Sequence, residues 1–524
     1  MPDALPQMSL ELPPRVQPRW GWRAVPLVML LAALALRAFS FIPAVIDSDE
    51  GLYIVQAREW LSGGWPLDKV WDMHPIGAPA MVALGLAVFG QSITAVRLLG
   101  ALFVAATGWA LYGTARAGGL PRPPALAAGL LYIALTTQFG GLATNTEILF
   151  APFVVAAMAF GLRTLERHVA PSWGDLVAMG MLVGIALTIK PVAMPEGCLA
   201  FALLTFPALW RGLLPWRRAL AMAAGYALLC AAPTLLLAAA YAIRGQFEEF
   251  LDGAFLAPMR YAGGRLAFGD AAWEVATAAM VLIWPLALAA VSLLLPRGVV
   301  ERRLAVVGVI WLATASLAVA GPGMFYNHYF LIWLPAVSLM AALGAWRLGR
   351  FVHPRQAVMA LAVIIGAVGV NVWSVDAVGR MRSGIGLRNP DPVRQVAAAV
   401  KAVIPPGAPI LMANYHAVVQ FLAGAGLATR YAFPAHFTGH YGDVAGIDMD
   451  AEVARVLAAR PAAIVIDRGW WNAIRPVAQA MLTRTLAEAY VLAATVREER
   501  GRVEIWRLRP TPAPAATPTS ADTP

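Results

Sequence analysis

Charged residues and cysteine are both scarce in this sequence. Only 13% of its 524 residues are Asp, Glu, Lys or Arg, whereas a soluble globular domain carries about a quarter. Two cysteines, Cys198 and Cys230, exclude a disulfide-rich scaffold, and both fall in segments predicted to be helical. In place of charge the chain is 60% hydrophobic, with repeated apolar runs of about twenty residues that can cross a bilayer. The composition indicates a polytopic membrane protein.

Arginine supplies most of the positive charge, and its placement argues against nucleic acid as a partner. The net charge is +10, but the arginines gather in short loops between the apolar runs. An excess of Arg in short loops marks the cytoplasmic side of a membrane protein. We therefore assign six loops to the cytoplasm: 15–23, 116–122, 163–167, 211–218, 297–303 and 347–355.

About eleven apolar segments are predicted to span the membrane. A further segment, 76–90, is about 15 residues long, which is short for a span. Counting it would move loop 116–122 to the side opposite 15–23, so we predict a helix that lies at or dips into the interface. The N-terminus is then inside and the C-terminus outside. The predicted spans are 24–46, 93–115, 124–141, 146–165, 174–190, 192–210, 217–243, 272–295, 303–321, 326–346 and 355–376.

The sequence changes character after residue 376. "APILMAN" and "AAIVID" are typical of short buried strands, and "DAEVARVLAAR" is typical of an amphipathic helix. We predict a small α/β domain over 377–510 on the outer face, which is periplasmic in a bacterium. Segment 1–23 is predicted to be cytoplasmic, and the Pro/Thr-rich tail 511–524 to be disordered.

The stretch "DSDEGLYIVQAREWLSGGW" places three carboxylates directly behind the first predicted span. Asp47 is a good N-cap for the helix that follows. A carboxylate close to the hydrocarbon is unfavourable and usually functional, so we predict a chemical role for Asp49 and Glu50. The following helix is predicted to be amphipathic and to lie along the interface, holding the pair inward. Arg37, inside the first predicted span, requires a partner or a watery cavity.

Several other polar residues are predicted at a similar depth on the outer face. Each has an ordinary explanation, because acidic residues suit helix starts, aromatic residues form interfacial belts and lysine extends to the surface. Together they favour an outward cavity in which cations and a tyrosine hydroxyl hold a lipid-borne phosphate while a carboxylate takes a proton. These residues are His74, Glu147, Lys190, Arg260, Tyr261, Tyr326, His328 and Tyr329.

Four motifs resemble a known family. "SDEGLYIVQAREWLSGGW", "MHPIGAP", "TNTEILF" and "FYNHYFLIWLP" are similar to motifs of bacterial membrane glycosyltransferases of the GT-C superfamily. Its members include protein O-mannosyltransferases and lipid A aminoarabinose transferases, and the resemblance extends over essentially the whole chain. It implies a GT-C fold, with a transmembrane catalytic domain over 24–376 that carries outer loop 47–75 and with the small periplasmic α/β domain behind it.

The resemblance implies a hexosyl or pentosyl transferase of the bacterial inner membrane. Such an enzyme moves a sugar from a polyprenyl-phosphate donor to a periplasmic lipid, glycan or protein, with inversion in one displacement. Asp49 matches the catalytic acidic residue of the first outer loop, with Glu50 beside it, and Glu147 matches a second acidic position. A divalent cation is left open, since it could bridge Asp49, Glu147 and the phosphate.

The same resemblance suggests a set of residues that bind the donor phosphate. His74 falls where the aminoarabinose transferases have a phosphate-contacting lysine, and a histidine's charge depends on pH. Tyr329 and Arg260 fall near their phosphate-contacting tyrosine and loop arginine. We predict that His328 and Lys190 contribute to the same site.

Two other classes of protein are weighed against a glycosyltransferase. A transporter or flippase of a lipid-linked saccharide also carries charges within the membrane, but we find no repeated halves. A non-catalytic assembly or sensory protein would depend on the outer α/β domain instead. Substitution of Asp49 discriminates between these hypotheses, because only the enzyme requires its carboxylate.

Overall fold

The computed structural model describes residues 24–295, 298–349 and 390–510, with a few positions between 356 and 370. Segment 1–23, tail 511–524 and most of the predicted span 355–376 lie outside the described residues. The part before residue 350 is helical. Its helices are α1 (Val25–Leu36), α2 (Ser48–Leu61), α3 (Gly77–Phe89), α4 (Ile93–Ala117), α5 (Arg122–Leu135), α6 (Thr146–Arg167), α7 (Trp173–Ile189), α8 (Met194–Trp210), α9 (Trp216–Ile243), α10 (Phe247–Leu251), α11 (Ala257–Tyr261), α12 (Phe268–Val281), α13 (Ile283–Leu294), α14 (Val299–Ala320) and α15 (Leu334–Leu348).

Six helices in the described part of the chain are long and apolar enough to cross a membrane, or seven if one bent pair counts as a span. The six, some with a preceding short turn, are α4, α6, α8, α9, α14 and α15. Four shorter apolar helices, α1, α3, α5 and α7, accompany them. The predicted segments that lie within the described residues therefore form helices, but several are too short to count as complete spans by length and composition.

The first predicted span, 24–46, is wrong in its length because α1 ends at Leu36. Arg37 follows as the helix C-cap. Its guanidinium is buried and donates to the carbonyl oxygens of Gly141 at 2.5 Å, Leu142 at 2.9 Å and Ala143 at 3.2 Å. Backbone carbonyls, rather than a carboxylate, are thus its main partners. The same three bonds hold the turn that precedes α6.

The predicted single span 272–295 is bent rather than straight, because the structure divides it into α12 and α13. The two helices meet near Leu282 at a bend of 81°. Pro285 lies in the first turn of α13, and proline cannot donate the backbone hydrogen bond that would continue a helix through this point. The proline explains why an unbroken apolar run does not form one straight helix.

Helix α2 is buried on most of its faces, which corrects the prediction of an amphipathic helix along the interface. Every residue from Glu50 to Ala57 is buried. The C-terminal part of the chain covers it: a Cβ added to Gly51 would lie 3.3 Å from Cβ of Val418, and Arg58 donates to the carbonyl oxygen of Gln420 at 2.9 Å. A long-range contact therefore replaces the bilayer surface as the environment of this helix.

Helix α3 packs tightly against the end of α7. A Cβ added to Gly77 would lie 2.4 Å from the carbonyl oxygen of Thr188, a distance that real Cβ contacts do not reach. Only glycine permits this approach without a shift of the backbone. Gly77 comes three residues after His74, and Thr188 comes two residues before Lys190, so the contact fixes two parts of the chain that carry predicted site residues.

Residues 390–510 form helices around one five-stranded sheet. The strand order is β2-β1-β3-β5-β4; β1 is parallel to β2 and β3, and β5 is antiparallel to β3 and β4. Because β1, β2 and β3 are parallel, their carboxyl ends open on the same edge. The strands are β1 (Pro409–Met412), β2 (Gly426–Leu427), β3 (Ala463–Asp467), β4 (Tyr490–Glu498) and β5 (Gly501–Leu508). The helices are α16 (Pro392–Val403), α17 (Val418–Ala423), α18 (Pro434–Phe437), α19 (Met449–Ala458) and α20 (Pro476–Ala489).

Candidate active site

A group of polar side chains meets where α2, α6 and the turns before α3, α8 and α15 converge. We call it the polar cluster. Ion pairs, ring contacts and electrostatic interactions link its members to one another. Its residues are Asp47, Asp49, Asp72, His74, Glu147, Lys190, His328 and Tyr329.

Lys190 and Glu147 form the ion pair at the base of the cluster. The Lys190 ammonium lies 2.5 Å from Oε1 of Glu147, and both side chains are buried. The ammonium also lies 4.3 Å from the centroid of the Tyr329 ring, a cation–π contact. Pro191 ends α7 by disfavouring a helical conformation at the residue before it, and Lys190 is accordingly extended. The side chain thereby leaves the helix end toward α6.

Asp49 lies in the first turn of α2, which Asp47 caps. The Asp47 carboxylate accepts the backbone N–H of Asp49 at 3.0 Å, as the sequence predicted for a cap. Burial, followed by the negative charge of Asp47, raises the pKa of Asp49 above its ordinary value. Such a carboxylate takes up a proton more readily than an exposed aspartate. Its charge interacts with His74, His328 and Lys190.

Two histidines face these carboxylates, each paired with an aspartate. Nδ1 of His74 lies 3.1 Å and 3.2 Å from the two carboxylate oxygens of Asp72. Burial opposes the charged form of His74, but the Asp72 carboxylate outweighs it and raises the pKa of His74. Nδ1 of His328 lies 3.5 Å from Oδ2 of Asp47. Burial opposes the Asp47 carboxylate, yet His328 and the Asp49 amide lower the pKa of Asp47.

The structure separates Glu50 from the polar cluster, although Glu50 is adjacent to Asp49 in sequence. Its buried carboxylate lies 2.5 Å from the Arg97 guanidinium and accepts the backbone N–H of Thr144 at 2.7 Å. On a helix, consecutive side chains point about 100° apart, so one residue faces the cluster and the next faces α4. Glu50 therefore stabilises the packing of the helices, and it connects α2 to α4 and to the turn before α6.

Arg260 is also bound outside the cluster. Its guanidinium donates to the Asp252 carboxylate at 2.6 Å and to the carbonyl oxygen of Val444 at 2.8 Å. These bonds connect the loop after α9 to the C-terminal part. Tyr261 beside it donates to the hydroxyl of Tyr326 at 2.8 Å, so the loop after α9 also contacts the turn before α15.

Sequence reasoning missed Asp72 and Arg97. Asp72 stands two residues before His74 in "WDMHPIGAP", and a carboxylate that close to a histidine is a signal for pairing. Arg97 lies within an apolar helix, where a charge requires a partner. That signal calls for an acidic residue but does not say which one, since the partner Glu50 is distant in sequence.

The side chains of the polar cluster are not arranged as the ligands of a metal ion. Within the described ranges, no group of three or more His, Cys, Asp or Glu is arranged to hold a metal ion. The two residues predicted to share one, Asp49 and Glu147, have Lys190 as a common neighbour, and its ammonium already pairs with Glu147. This donor set does not fit a resident metal centre.

Comparisons with known proteins agree with this architecture. Residues 73–237 match the family model described as dolichyl-phosphate-mannose-protein mannosyltransferase. The fold is similar to that of ArnT from Cupriavidus metallidurans in the apo state, with a TM-score of 0.64, 16% identity and coverage of 92% of this chain and 97% of that chain. It is also similar to the apo oligosaccharyltransferase of Archaeoglobus fulgidus, with a TM-score of 0.51, 13% identity and coverage of 86% and 70%. The chain has no significant match among curated protein sequences.

These findings first define a multi-pass membrane protein with a buried polar site. The match of residues 73–237 to the mannosyltransferase family model and the ArnT-like fold then narrow the class. Both support the GT-C superfamily of membrane glycosyltransferases, the family predicted from the four sequence motifs.

Proposed function

We propose that this protein transfers a sugar from a polyprenyl-phosphate donor to a hydroxyl group of a periplasmic acceptor. The observation that carries the proposal is a buried ammonium, Lys190, which pairs with Glu147 and interacts electrostatically with the Asp49 carboxylate of the same polar cluster. The matched family model takes its name from a dolichyl-phosphate-mannose donor, which supports a lipid phosphate as the leaving group.

The reaction needs a base at one side of the sugar and positive charge at the other. The acceptor O–H attacks the anomeric carbon and a new C–O bond forms. The bond from the anomeric carbon to the phosphate oxygen breaks, and its electron pair leaves with the polyprenyl phosphate. Asp49 takes the acceptor proton, for which a raised pKa is suited. One displacement of this kind inverts the anomeric configuration.

The leaving phosphate gains negative charge as the bond breaks. Lys190 supplies a fixed ammonium to it, and burial strengthens this interaction relative to water. Glu147 holds the ammonium in place through their 2.5 Å contact, while Tyr329 packs against it. His74 and His328 add positive charge when protonated, and the Asp72 carboxylate favours that state for His74.

The proposed orientation follows from the arginine-rich loops. Their distribution supports a position of α2 and the polar cluster on the periplasmic face of the bacterial inner membrane. The donor's polyprenyl chain would lie in the membrane with its phosphate at the boundary, where the cluster is located. The small α/β domain, 377–510, would cover the same face.

The proposal can be tested with purified protein in liposomes. The probe is mannosyl-phosphoundecaprenol with a radiolabelled sugar, supplied with a lipid and glycan extract of the bacterial envelope as acceptor. We expect a radiolabelled product and stoichiometric release of undecaprenyl phosphate. A panel of donors with other hexoses and pentoses identifies the preferred sugar. Movement of intact donor across the bilayer, without cleavage of any donor, would contradict the proposal and support a flippase.

A further inference from the structure

A cavity lies next to the polar cluster, mainly in the C-terminal part of the chain. Its volume is about 540 Å³. It is lined by residues that follow β1, β2 and β3, together with the turn between β4 and β5 and Ser48 of α2. Ligands of α/β sheets bind in the crevice beyond the carboxyl ends of parallel strands. The position of this cavity therefore marks it as a binding site on topological grounds.

The rim of the cavity is fixed by hydrogen bonds. The Asn414 amide group, just after β1, donates to the carbonyl oxygens of Asp467 at 2.8 Å and Trp470 at 3.0 Å. Its carbonyl oxygen accepts the backbone N–H of Asp467 at 2.8 Å. One side chain thus joins the ends of β1 and β3, so the rim is organised before any ligand arrives.

The walls combine exposed aromatic rings with hydrogen-bonding groups. Trp470 is 48% exposed and Tyr441 is 39% exposed, which leaves ring surface available. The Arg500 guanidinium lies 4.2 Å from the Trp470 ring centroid and restrains it. Glu498 also lines the cavity and accepts the Tyr415 hydroxyl at 3.2 Å.

This combination matches a polyhydroxylated ring. The C–H groups of a sugar ring pack against an aromatic surface, and its hydroxyl groups donate to carboxylate oxygens and accept from guanidinium and phenol groups. An alkyl chain would offer no hydrogen bonds to the polar atoms of Glu498 and Arg500 that face the cavity, so it would gain nothing from them. The lining therefore favours a saccharide over a lipid tail.

The cavity also adjoins the proposed base. Ser48, which lines it, stands between Asp47 and Asp49 in the chain. The Tyr441 hydroxyl lies 3.3 Å from that of Tyr326, whose ring stacks on His328 with centroids 6.0 Å apart. A ligand in the cavity is thus within reach of the polar cluster through Ser48 on one side and the two tyrosines on the other.

We propose that this cavity binds the acceptor as a saccharide, with one sugar ring against Trp470 and a hydroxyl group directed toward Asp49. The assignment of this saccharide as acceptor rests on the proposed transferase function. The binding itself does not, because it requires neither a donor nor a base.

The experiment measures binding and transfer separately. Saturation-transfer NMR on the full-length protein in detergent uses an equimolar mixture of maltotriose, cellobiose, mannobiose and chitobiose, with a Ser/Thr-containing tetrapeptide as a second probe. The variants are Trp470→Ala and Glu498→Gln. Glu488→Gln, an exposed glutamate of α20, is the matched control, and Asp49→Asn removes the base. Thermal unfolding of each variant checks that the fold is retained.

We expect at least one saccharide to bind the wild type and the control equally, and to bind Asp49→Asn with only a small loss of affinity, because one hydroxyl contact is altered. Trp470→Ala should weaken that binding roughly tenfold, the effect of losing one aromatic contact of about 1.4 kcal/mol, and Glu498→Gln should weaken it less. Binding of the peptide alone, or saccharide binding that Trp470→Ala leaves unchanged, would overturn the proposal, as would the absence of saccharide binding to a folded wild type. If Asp49→Asn loses transfer but still binds the saccharide, the cavity binds saccharides independently of the catalytic role of Asp49. Failure of the proposed transferase function would then leave the proposed binding site standing.

Discussion

Glu50 and Arg97 form a buried ion pair 2.5 Å long, and neither side chain is exposed to solvent. The pair joins α2 to α4, and the hydrogen bond from the Thr144 backbone to Glu50 joins both to the turn before α6. Asp49, the adjacent residue on α2, faces the polar cluster instead. The two adjacent acidic residues therefore have different roles: Glu50 fixes the position of α2, and Asp49 is proposed to act in catalysis.

We predict that Glu50→Gln destabilises the fold. The substitution leaves the Arg97 charge buried without its counter-ion, and breaking such a pair lowers the free energy of unfolding by about 3–5 kcal/mol. Thermal unfolding in detergent measures the effect. Glu59→Gln is the control on the same helix, because the Arg58–Glu59 pair is partly exposed and contributes about 0–1 kcal/mol. Equal unfolding midpoints for the two variants would contradict the structural role of Glu50.

We predict that Asp49→Asn abolishes transfer without reducing the amount of folded protein. Asparagine keeps the shape of the side chain but cannot take the acceptor proton, and loss of a general base typically lowers the rate by about 10²–10⁴. The measurement is sugar transfer in liposomes at matched protein levels. Asp68→Asn, in the same loop, controls for loss of a nearby carboxylate. Full activity of Asp49→Asn would end the catalytic assignment and favour a transporter or an assembly protein.

The pH dependence of transfer should report the raised pKa of Asp49. The base acts only when deprotonated, so kcat/KM falls as pH drops through the pKa of Asp49, and this fall should occur above the ordinary value of 3.8. The negative charge of Asp47 is one cause of the raised pKa. Asp47→Asn should therefore move the acid limb of the profile to lower pH. A limb that does not move would show that Asp49 is not the titrating base.

We predict that Lys190 is needed for catalysis, and that its effect on the transfer rate can be measured separately from its effect on stability. Lys190→Gln leaves the Glu147 carboxylate buried without its counter-ion, so the single variant loses both activity and stability. Adding Glu147→Gln removes that charge, and the double variant should recover its unfolding midpoint. Its transfer rate should stay reduced by about 10²–10³, the usual effect of losing a group that stabilises developing charge. Recovery of transfer in the double variant would contradict a role for Lys190 at the phosphate.

The orientation of the protein can be tested by cysteine labelling. The two native cysteines are free and can be replaced by serine. In that background Glu488→Cys, on the exposed side of α20, should react with an impermeant maleimide added to intact spheroplasts. Arg217→Cys, near the start of α9, should react only after the inner membrane is opened. The reverse pattern would place the polar cluster in the cytoplasm.

The sequence predicted those features that depend on short stretches of chain. The Asp47 cap, the end of α7 before Pro191 and the start of α6 at Thr146 all follow from local rules of helix formation. Motifs also led to Glu147, Lys190, His328 and Tyr329, which the structure brings together.

Features that depend on distant partners could not be predicted in the same way. The burial of α2 requires the contact of Gly51 with Val418, and the position of Arg260 requires the carbonyl group of Val444. Neither partner is marked by a motif. The pairing of Arg97 with Glu50 could not be predicted either. The sequence indicates that a buried charge needs a partner, but it does not indicate which residue is that partner.

The close approach of Gly77 to Thr188 limits how far the segments that carry His74 and Lys190 can move relative to each other. His74 lies just before α3 and Lys190 just after α7, and each is within three residues of this contact, so backbone packing sets the distance between the two segments. A methyl group at position 77 would push α3 away from α7. Gly77→Ala therefore offers a way to widen the site by a fraction of an ångström without changing any charged side chain.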